Sequence, residues 1–244
     1  MRVETRGQLP GELTAEAAAV AAKADDAARN GDPATAAGLL EGVLRKIKAA
    51  GGDVSVWVSR PATEHDQMAA LAGLTPGRDI YQMRRPLPAD DPPAGFVTRP
   101  FRVDRDEEAW LRVNNRAFAG HHEQSRWDLE TLRRRMSEPW FDTNGFLLHE
   151  HDGHLAGFNW TKIHRDSDPP LGEIYVIGVD PEFSGLGLGR ALALAGLQWL
   201  SRQGIGVGML YVDATNEPAL NMYRSLGFTI DHVDRGYYGE GAVP

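Results

Sequence analysis

Residues 173–190, EIYVIGVDPEFSGLGLGR, are the part of the chain whose composition and order could do chemistry. An apolar strand pattern runs into a glycine-rich turn, and a helix pattern follows at once. This order leaves backbone N–H groups free at a helix N-terminus, where they can bind phosphate. A tight strand-to-helix connection without a ligand would have the same composition, so the turn alone leaves both interpretations open.

The spacing of Gly185, Gly187 and Gly189 argues against two common phosphate-binding motifs. A P-loop needs a Gly-Lys-Ser/Thr sequence after the turn, and none follows here. A dinucleotide-binding fingerprint spaces its glycines as G-x-G-x-x-G, with an acidic residue after the next strand. The turn fits that pattern poorly, because its glycines are too close together.

Two residues near this turn, Glu173 and Tyr223, are candidates for acid–base chemistry. Glu173 opens the strand, and a carboxylate there can exchange a proton with a neighbouring group directly or through water. Tyr223 lies on a predicted helix, and its phenol can donate a proton. The alternatives are a solvated acid at a strand end and an aromatic ring that packs the helix against the sheet.

Histidines cluster at His149, His151 and His154, around a predicted hairpin turn. Strand alternation puts His149 and His151 on one face, but no third ligand is fixed, so we predict no metal site. His121 and His122 are predicted to be loop residues.

Composition limits the partners of the chain. The formal net charge is -8, and an acidic chain is a poor non-specific ligand for nucleic acid. No segment approaches the roughly 18–20 apolar residues of a membrane-spanning helix, and the N-terminus lacks the apolar run of a signal peptide. The absence of cysteine excludes disulfides, cysteine-ligated zinc and thiol nucleophiles. We expect a cytoplasmic monomer without a nucleic-acid or membrane partner.

Hydrophobic periodicity predicts a mixed α/β sheet with helices on both faces in the C-terminal part. The predicted strands are 97–102, 145–150, 154–164, 173–179, 207–213 and 229–237, and the predicted helices are 106–119, 127–136, 186–203 and 217–226. Before residue 90 we predict two helices within 12–50, a strand at 53–59, a helix at 64–72 and a strand at 80–84.

The chain also contains two segments of weakly similar sequence. Residues 68–85 resemble residues 222–238, since both contain a helix end, a glycine and a closing strand. This pattern suggests a tandem repeat whose first copy is shortened and lacks the glycine turn. We therefore predict a degenerate N-terminal segment at 1–88, a proline-rich linker at 89–95 and a catalytic domain at 96–244.

Two segments, IGVDPEFSGLGLGRALALAG (177–196) and LYVDATNEPALNMYRSLGF (210–228), resemble the GNAT superfamily of acetyl-CoA-dependent N-acyltransferases. In that family an R/Q-x-x-G-x-G/A turn binds the pyrophosphate of CoA, and an N-x-x-A-x-x-x-Y-x-x-x-G-F helix follows. Asn216, Ala219, Tyr223, Gly227 and Phe228 match the second motif. One departure is Ser184, which stands where glutamine or arginine is usual and should weaken the site.

A narrower resemblance is to the mycothiol synthases, tandem GNAT proteins of actinobacteria. It is carried by QMRRPLP (82–88), LRVNNRAFAGHHEQ (111–124), GFNWTKIH (157–164), LGEIYVIGVDP (171–181) and MLYVDATN (209–216). That group acetylates the cysteine amine of Cys-GlcN-Ins with acetyl-CoA. The resemblance is strong from Ile80 to Tyr238 and weak before Val54.

The resemblance implies a GNAT fold in the C-terminal domain and a role for each matching residue. Glu173 would be the base and Tyr223 the acid that protonates the CoA sulfur. Backbone N–H groups at 177–179, where the family's strand splays from its neighbour, would polarise the thioester. Acetyl-CoA would be bound by Ile177, Gly178, Val179, Ser184, Gly185, Leu186, Gly187, Leu188, Gly189, Arg190, Asn216, Glu217, Pro218, Ala219, Leu220 and Asn221.

The amine substrate would be held by Glu123, Lys162, Glu173 and Tyr211. Taken alone, Lys162 would be an exposed strand lysine and Glu123 a residue of a polar loop. Asn216 would also serve as a helix N-cap, with Pro218 in the first turn. Two rival functions stay open: a GNAT enzyme for another amine, such as a protein N-terminus or an antibiotic, and a catalytically silent acetyl-CoA-binding module.

Overall fold

The computed structural model describes residues 1–6, 10–120 and 127–239. The chain forms two units. The first contains Met1–Gln82, Val212–Glu217 and Ile230–Pro244, and the second contains Met83–Tyr211 and Pro218–Thr229. Each unit is therefore built from separate segments of the chain, and three strands and one helix have residues in both. The predicted boundaries at residues 88 and 96 remain a prediction.

The first unit contains three helices and a small antiparallel sheet. The elements are β1 (Arg2–Arg6), α1 (Gly11–Arg29), α2 (Pro33–Ala49), β2 (Asp53–Ser59), α3 (Thr63–Leu71), the start of β3 (Thr75–Pro86) and nearly all of β9 (Thr229–Tyr238). Strand β2 pairs with β1 on one side and β9 on the other. The small side chains of Ala24, Ala28 and Ala36 let α1 and α2 pack closely around Leu40 and Met68.

The second unit contains a sheet of five strands, extended beside β8 by the end of a sixth, with helices on both faces. The elements are the end of β3, β4 (Arg99–Pro100), α4 (Glu107–Ala117), α5 (Leu129–Met136), β5 (Phe146–His151), β6 (His154–His164), β7 (Leu171–Val179), α6 (Leu188–Arg202), most of β8 (Val207–Asp213) and most of α7 (Glu217–Ser225). The strand order is β4-β5-β6-β7-β8. All pairs among these five are antiparallel except β7 with β8, which is parallel.

An aromatic core fills the face of this sheet that carries α4. Trp110, Phe146, Phe158 and Trp160 are fully buried there, and the rings of Phe146 and Trp160 stack at 4.3 Å. On the opposite face, α6 lies close to β6: a Cβ at Gly196 would come within 2.2 Å of Nδ2 of Asn159. That amide donates to the carbonyl of Leu192 at 2.8 Å, which fixes α6 on the sheet.

The mixed α/β organisation predicted from periodicity is confirmed, and most predicted elements of the second unit agree with the structure within a few residues. The predicted strand at 97–102 is wrong in length, because β4 contains only Arg99 and Pro100 and proline has no N–H to continue the ladder. Strand β1 was not predicted, and β3 is longer than the predicted 80–84. No helix in the described ranges is both long and apolar enough to span a membrane.

Candidate functional site

Strand β7 carries an irregularity at its centre. Trp160 of β6 lies opposite Val176 and Thr161 lies opposite Ile174, so Tyr175 has no opposite residue and forms a β-bulge. The parallel pairing of β7 with β8 ends at the same level, with Ile174 opposite Leu210. Within this unit, β7 continues beyond Ile174 to Val179, and none of these later residues is paired with a residue of β8. A bulge bends its strand. The splay that the family resemblance implies for residues 177–179 stays a prediction.

The glycine turn connects β7 to α6 and is open to solvent. Gly185 and Gly187 have φ of 84° and 73°, in the left-handed region, and nothing lies within 4 Å of a Cβ built on either. Gly187 is the N-cap of α6 and offers no side chain to the first N–H groups of the helix. The N–H groups of Leu188, Gly189 and Arg190 are therefore left for an anion.

The turn also lies against the end of β7 and against α7. A Cβ on Gly189 would be 3.4 Å from the sulfur of Met222 and 4.0 Å from Cγ2 of Val179. Ile177 and Val179 pack with Leu188 and Leu192 on the α6 face of the sheet. The end of β7, the glycine turn and α7 thus meet at one edge of the second unit.

An ion pair fixes the approach to the turn. The buried carboxylate of Asp180 accepts from the N–H of Glu182 at 3.0 Å and lies 3.2 Å from the guanidinium of Arg116 on α4. Arg116 is also 3.3 Å from the carboxylate of Glu182. This cation offsets two negative charges that would otherwise repel an anion at the turn. Ser184, Leu186 and Arg190 are exposed around it.

Glu173 lies in β7 two residues before the bulge, and its side chain is only 9 % exposed. Its carboxylate Oε2 is 2.7 Å from Nε2 of His164, at the end of β6. A buried carboxylate with one hydrogen-bonding partner is suited to exchange a proton with a group placed beside it. His164 is thus a partner of the predicted base Glu173, and the sequence alone did not indicate it.

Lys162 lies opposite Glu173 in the pairing of β6 with β7. Its ammonium nitrogen is 5.0 Å from the ring centre of Trp140 and 5.9 Å from that of Tyr175. These two rings are themselves 5.0 Å apart in an edge-to-face arrangement. Cation–π contacts therefore hold the charge of Lys162 on the face of the sheet that also carries Glu173. Lys162 is partly buried, not a solvated surface lysine.

Tyr223 lies on α7 with its ring 5.7 Å from the ring of Phe228 and its side chain buried. Burial raises the pKa of the Tyr223 phenol far above its ordinary value. The phenol therefore keeps its proton throughout the physiological range, as the proposed acid must before the reaction. Tyr223 can therefore still be either a proton donor or a packing residue, because its ring packs against Phe228 and its hydroxyl keeps its proton.

The remaining predicted residues are distributed over both units. Asn216 and Glu217 fall in the first unit, and Pro218, Ala219, Leu220 and Asn221 in the second. The N–H of Asn216 donates to the carbonyl of Asp213 at 3.0 Å, and α7 begins at the next residue, with Pro218 in its first turn. Tyr211, on β8, is 45 % exposed. Glu123, His121 and His122 lie outside the described residues.

The predicted histidine cluster does not assemble into a metal site. His149 is buried, and its Nδ1 is 2.8 Å from the carbonyl of Val97. A register shift follows it, between His149 and Glu150. In the described ranges, no three histidine, cysteine, aspartate or glutamate side chains come close enough together to bind a metal ion.

Four residues around Glu173 and the turn were missed by sequence reasoning: His164, Trp140, Tyr175 and Arg116. One signal was available for His164, because it follows Lys162 by two residues on the same strand and must share its face. Trp140 and Arg116 belong to segments distant in the sequence, and no spacing rule connects them to β7. His164, Trp140 and Tyr175 form with Glu173 and Lys162 a polar and aromatic surface suited to an amine-bearing, hydroxyl-rich ligand.

The chain is similar to known proteins in its family pattern, its sequence and its fold. The sequence pattern of the Acetyltransferase (GNAT) family matches residues 103–228. The chain is 51% identical over 202 residues to a mycothiol acetyltransferase of Thermomonospora curvata, covering 80% of this chain and 67% of that protein. It is 49% identical over 198 residues to the mycothiol acetyltransferase of Thermobispora bispora, with coverage of 78% and 67%.

A third relative, the mycothiol acetyltransferase of Frankia alni, is 46% identical over 204 residues, which covers 78% of this chain and 61% of that protein. The chain thus spans about two thirds of the length of the curated relatives it matches.

Solved structures show the same fold at lower identity. A GCN5-related N-acetyltransferase from Sphaerobacter thermophilus has a TM-score of 0.65 at 24% identity, covering 82% of this chain and 65% of that chain. A tandem GNAT protein from the clavulanic acid biosynthesis pathway has a TM-score of 0.61 at 16% identity, with coverage of 86% and 70%. At these identities the likeness supports the fold alone.

Proposed function

The chain belongs to the GNAT family of acetyltransferases, and from this premise we propose that it transfers the acetyl group of acetyl-CoA to the cysteine amine of Cys-GlcN-Ins, giving mycothiol and CoA. Acetyl-CoA is the co-substrate of this family. The proposal for the amine rests on the mycothiol acetyltransferases, which are up to 51% identical to this chain. The observation that carries it is the buried carboxylate of Glu173 beside Lys162, just before the bulge in β7.

The residues of the glycine turn fit the diphosphate of CoA. The turn is exposed, lacks side-chain bulk at Gly185 and Gly187, and presents the N-terminus of α6. In this proposal the N–H groups of the turn and of α6 bind the pyrophosphate, and the N–H groups of residues 177–179 face the thioester. Asn216 to Asn221 are also proposed to bind CoA, and of these Pro218 to Asn221 lie on α7 in the unit that contains the turn. Bound acetyl-CoA supplies an activated acetyl group.

The amine substrate reaches this site as an ammonium ion and must lose a proton before it attacks. We assign this step to Glu173, which takes the proton from the ammonium nitrogen and so frees the lone pair that attacks the thioester carbon. Tyr223 then donates its phenolic proton to the sulfur of the departing CoA, because the thiolate that forms needs a proton. Lys162, Tyr211 and Glu123 bind the hydroxyl groups of the sugar and the inositol in this proposal.

Mass spectrometry of the products tests the proposal directly. Purified protein is incubated with acetyl-CoA and Cys-GlcN-Ins, and we expect a product heavier by one acetyl group together with free CoA. Glu173→Gln should abolish most of this turnover. The matched control is Glu130→Gln, which neutralises an exposed glutamate in the first turn of α5. No acetylated Cys-GlcN-Ins from the wild-type protein would contradict the proposed substrate.

The two rival functions give different results in the same assay. An enzyme for another amine would release CoA with a member of an amine panel and not with Cys-GlcN-Ins. A silent module would bind acetyl-CoA in calorimetry and release no CoA with any amine. Arg116, Asp180 and the open glycine turn support CoA binding in all three cases. The acid–base pair of Glu173 and Tyr223 favours an active enzyme.

We propose the same organisation of the chain that the sequence indicated: a shortened GNAT-like copy at 1–88, a linker at 89–95 and a catalytic domain at 96–244. Support comes from the family match, which begins at residue 103. The proposal also includes a monomeric state and a cytoplasmic location. The absence of cysteine fits the location, because the cytoplasm is reducing. Light scattering of the purified protein tests the first of these.

A further inference from the structure

We propose that His164 carries the reaction's proton from Glu173 to solvent, so that the base of the site is a linked pair and not a single carboxylate. This inference rests on the proposed function, because it requires Glu173 to take a proton from an amine. It adds a residue that neither the family motifs nor the sequence reading identified.

The first support is the contact itself. Nε2 of His164 and Oε2 of Glu173 are 2.7 Å apart, a distance at which a proton can move in either direction. In the described part of the chain, His164 is the only side chain recorded in a hydrogen bond with the Glu173 carboxylate. A proton bound to Oε2 of Glu173 can therefore be passed to one protein side chain, that of His164.

The second support is the difference in exposure along this contact. The side chain of Glu173 is 9 % exposed and that of His164 is 25 % exposed. Within the described residues the Nδ1 atom of His164 has no recorded partner. The imidazole therefore spans from the buried carboxylate to water, with one nitrogen on each side. Histidine is well suited to this, because its two nitrogens can gain and lose protons near neutral pH.

The third support is the backbone that positions the ring. His164 is the last residue of β6, and its carbonyl accepts from Oγ of Ser167 at 2.9 Å. It shares its face of the strand with Lys162, two residues earlier, which lies opposite Glu173. Lys162 carries a positive charge on that side, held over the rings of Trp140 and Tyr175. This charge favours departure of the proton toward His164 and solvent.

The nitrogen of the substrate loses two protons for each acetyl group transferred. The one lost when the tetrahedral adduct collapses replaces, through solvent, the proton that Tyr223 gives to the CoA sulfur, and the one lost from the ammonium group leaves through Glu173 and His164. The N–H bond of the substrate ammonium breaks as an O–H bond forms on Glu173. That O–H then donates its proton to Nε2 of a neutral imidazole that carries hydrogen on Nδ1, which gives an imidazolium. The Nδ1–H bond breaks to water, which leaves a neutral ring with hydrogen on Nε2. After the product leaves, that N–H bond breaks to water entering the site while Nδ1 takes a proton from solvent, and the starting tautomer is restored with no net change in protons. One proton leaves for each acetyl group transferred.

Two variants separate this role from simple positioning. In His164→Gln the side-chain amide can still donate a hydrogen bond to Glu173 but cannot accept and release a proton. In His164→Ala both abilities are lost. We expect kcat to fall by about ten- to hundredfold in both variants, with KM for acetyl-CoA and for the amine unchanged. Added imidazole should restore part of the kcat of His164→Ala in proportion to its concentration.

Controls keep the result interpretable. His154→Gln makes the same change at an exposed histidine of the β5–β6 turn and should leave kcat unchanged. Thermal unfolding of each variant shows whether the fold is retained. Wild-type kcat in His164→Gln would overturn the relay and leave only a positioning role. Failure of imidazole to raise the rate of folded His164→Ala would also overturn it.

The proposed function fails in a different way. If the wild-type protein does not acetylate Cys-GlcN-Ins but acetylates another amine of the panel, the substrate assignment is wrong. The His164 variants are then assayed with that amine, and the same outcomes decide the relay. A protein that acetylates no amine would overturn both proposals.

Discussion

Lys162 lies directly opposite Glu173 in the antiparallel pairing of β6 with β7, so a cation and a carboxylate share one face of the sheet. The cation is not neutralised by that carboxylate in the structure, since Glu173 is bonded to His164 and Lys162 lies over two aromatic rings. The ammonium group thus keeps its hydrogen-bond donors for a ligand.

The first prediction concerns this lysine. Lys162→Met removes the charge and keeps most of the aliphatic stem over Trp140. We expect KM for the amine substrate to rise roughly tenfold or more, because a hydrogen bond from a charged group is lost. Steady-state kinetics at saturating acetyl-CoA measures it.

The control for this variant is Lys23→Met, which makes the same change at an exposed lysine of α1. That variant should leave both KM values and kcat unchanged. If Lys162→Met leaves the amine KM unchanged as well, Lys162 does not bind the substrate, and its contacts with Trp140 and Tyr175 are structural.

The second prediction concerns the glycine turn. In Gly187→Ala the new Cβ meets nothing within 4 Å, but the residue must keep a φ of 73°. A left-handed conformation costs an alanine about 1–2 kcal/mol, so the turn should relax and move its N–H groups. We expect KM for acetyl-CoA to rise severalfold together with a loss of stability.

Gly204→Ala is a matched control for the turn. Gly204 follows the other end of α6, has a φ of 79°, and likewise has nothing within 4 Å of its Cβ position. It should lose similar stability in urea unfolding and leave KM for acetyl-CoA unchanged. An equal KM effect in both variants would mean that the stability loss, not the turn geometry, weakens CoA binding.

The sequence was sufficient for those features that depend on local pattern. Periodicity indicated the hairpin of β5 and β6, whose turn residues Asp152 and Gly153 both have positive φ. It also indicated β7, the glycine turn and α6, because an apolar strand, a glycine run and an amphipathic helix each have a short-range signature. These elements position the candidate CoA site.

The features that the sequence did not reveal depend on contacts between distant segments. The bulge at Tyr175 arises from the register of β7 against β6, and register is not encoded in the composition of either strand alone. The cation–π contacts of Lys162 require Trp140, which lies in the loop after α5. β1 was missed because five residues, RVETR, carry little apolar pattern.

The third prediction concerns Tyr223. Tyr223→Phe removes the hydroxyl and keeps the ring contact with Phe228, so the helix should stay in place. We expect kcat to fall by about a hundredfold with KM for acetyl-CoA unchanged, because the departing thiolate loses its proton donor. CoA release monitored with a thiol reagent measures this.

Tyr237→Phe provides the control for removing a buried phenol. The Tyr237 hydroxyl donates to Oδ1 of Asp66 at 2.7 Å within the first unit, and neither residue is proposed to bind or to react. That variant should lose about 1 kcal/mol of stability and no activity. Retention of wild-type kcat in Tyr223→Phe would reduce Tyr223 to a packing residue.

The last prediction concerns stability at high pH. Burial raises the pKa of Tyr223 above its ordinary value of 10.0, so the folded protein holds this proton more tightly than the unfolded chain. Below the unfolded value both states are protonated, and the group does not change the free energy of unfolding with pH. As pH rises above about 10, the unfolded chain releases the proton first, and stability falls. Tyr223→Phe cannot titrate and should lose less stability there.

Urea unfolding of the wild-type protein and Tyr223→Phe at about pH 8 and about pH 11 measures the effect. Tyr175 and Tyr237 also have pKa values raised by burial, but their titration is common to both proteins and cancels in the comparison. The wild-type protein should lose more free energy of unfolding between the two pH values than the variant. An equal loss would mean that the Tyr223 hydroxyl ionises as readily in the folded protein as in the unfolded chain, and a proton donor held by burial would then be the wrong description of this residue.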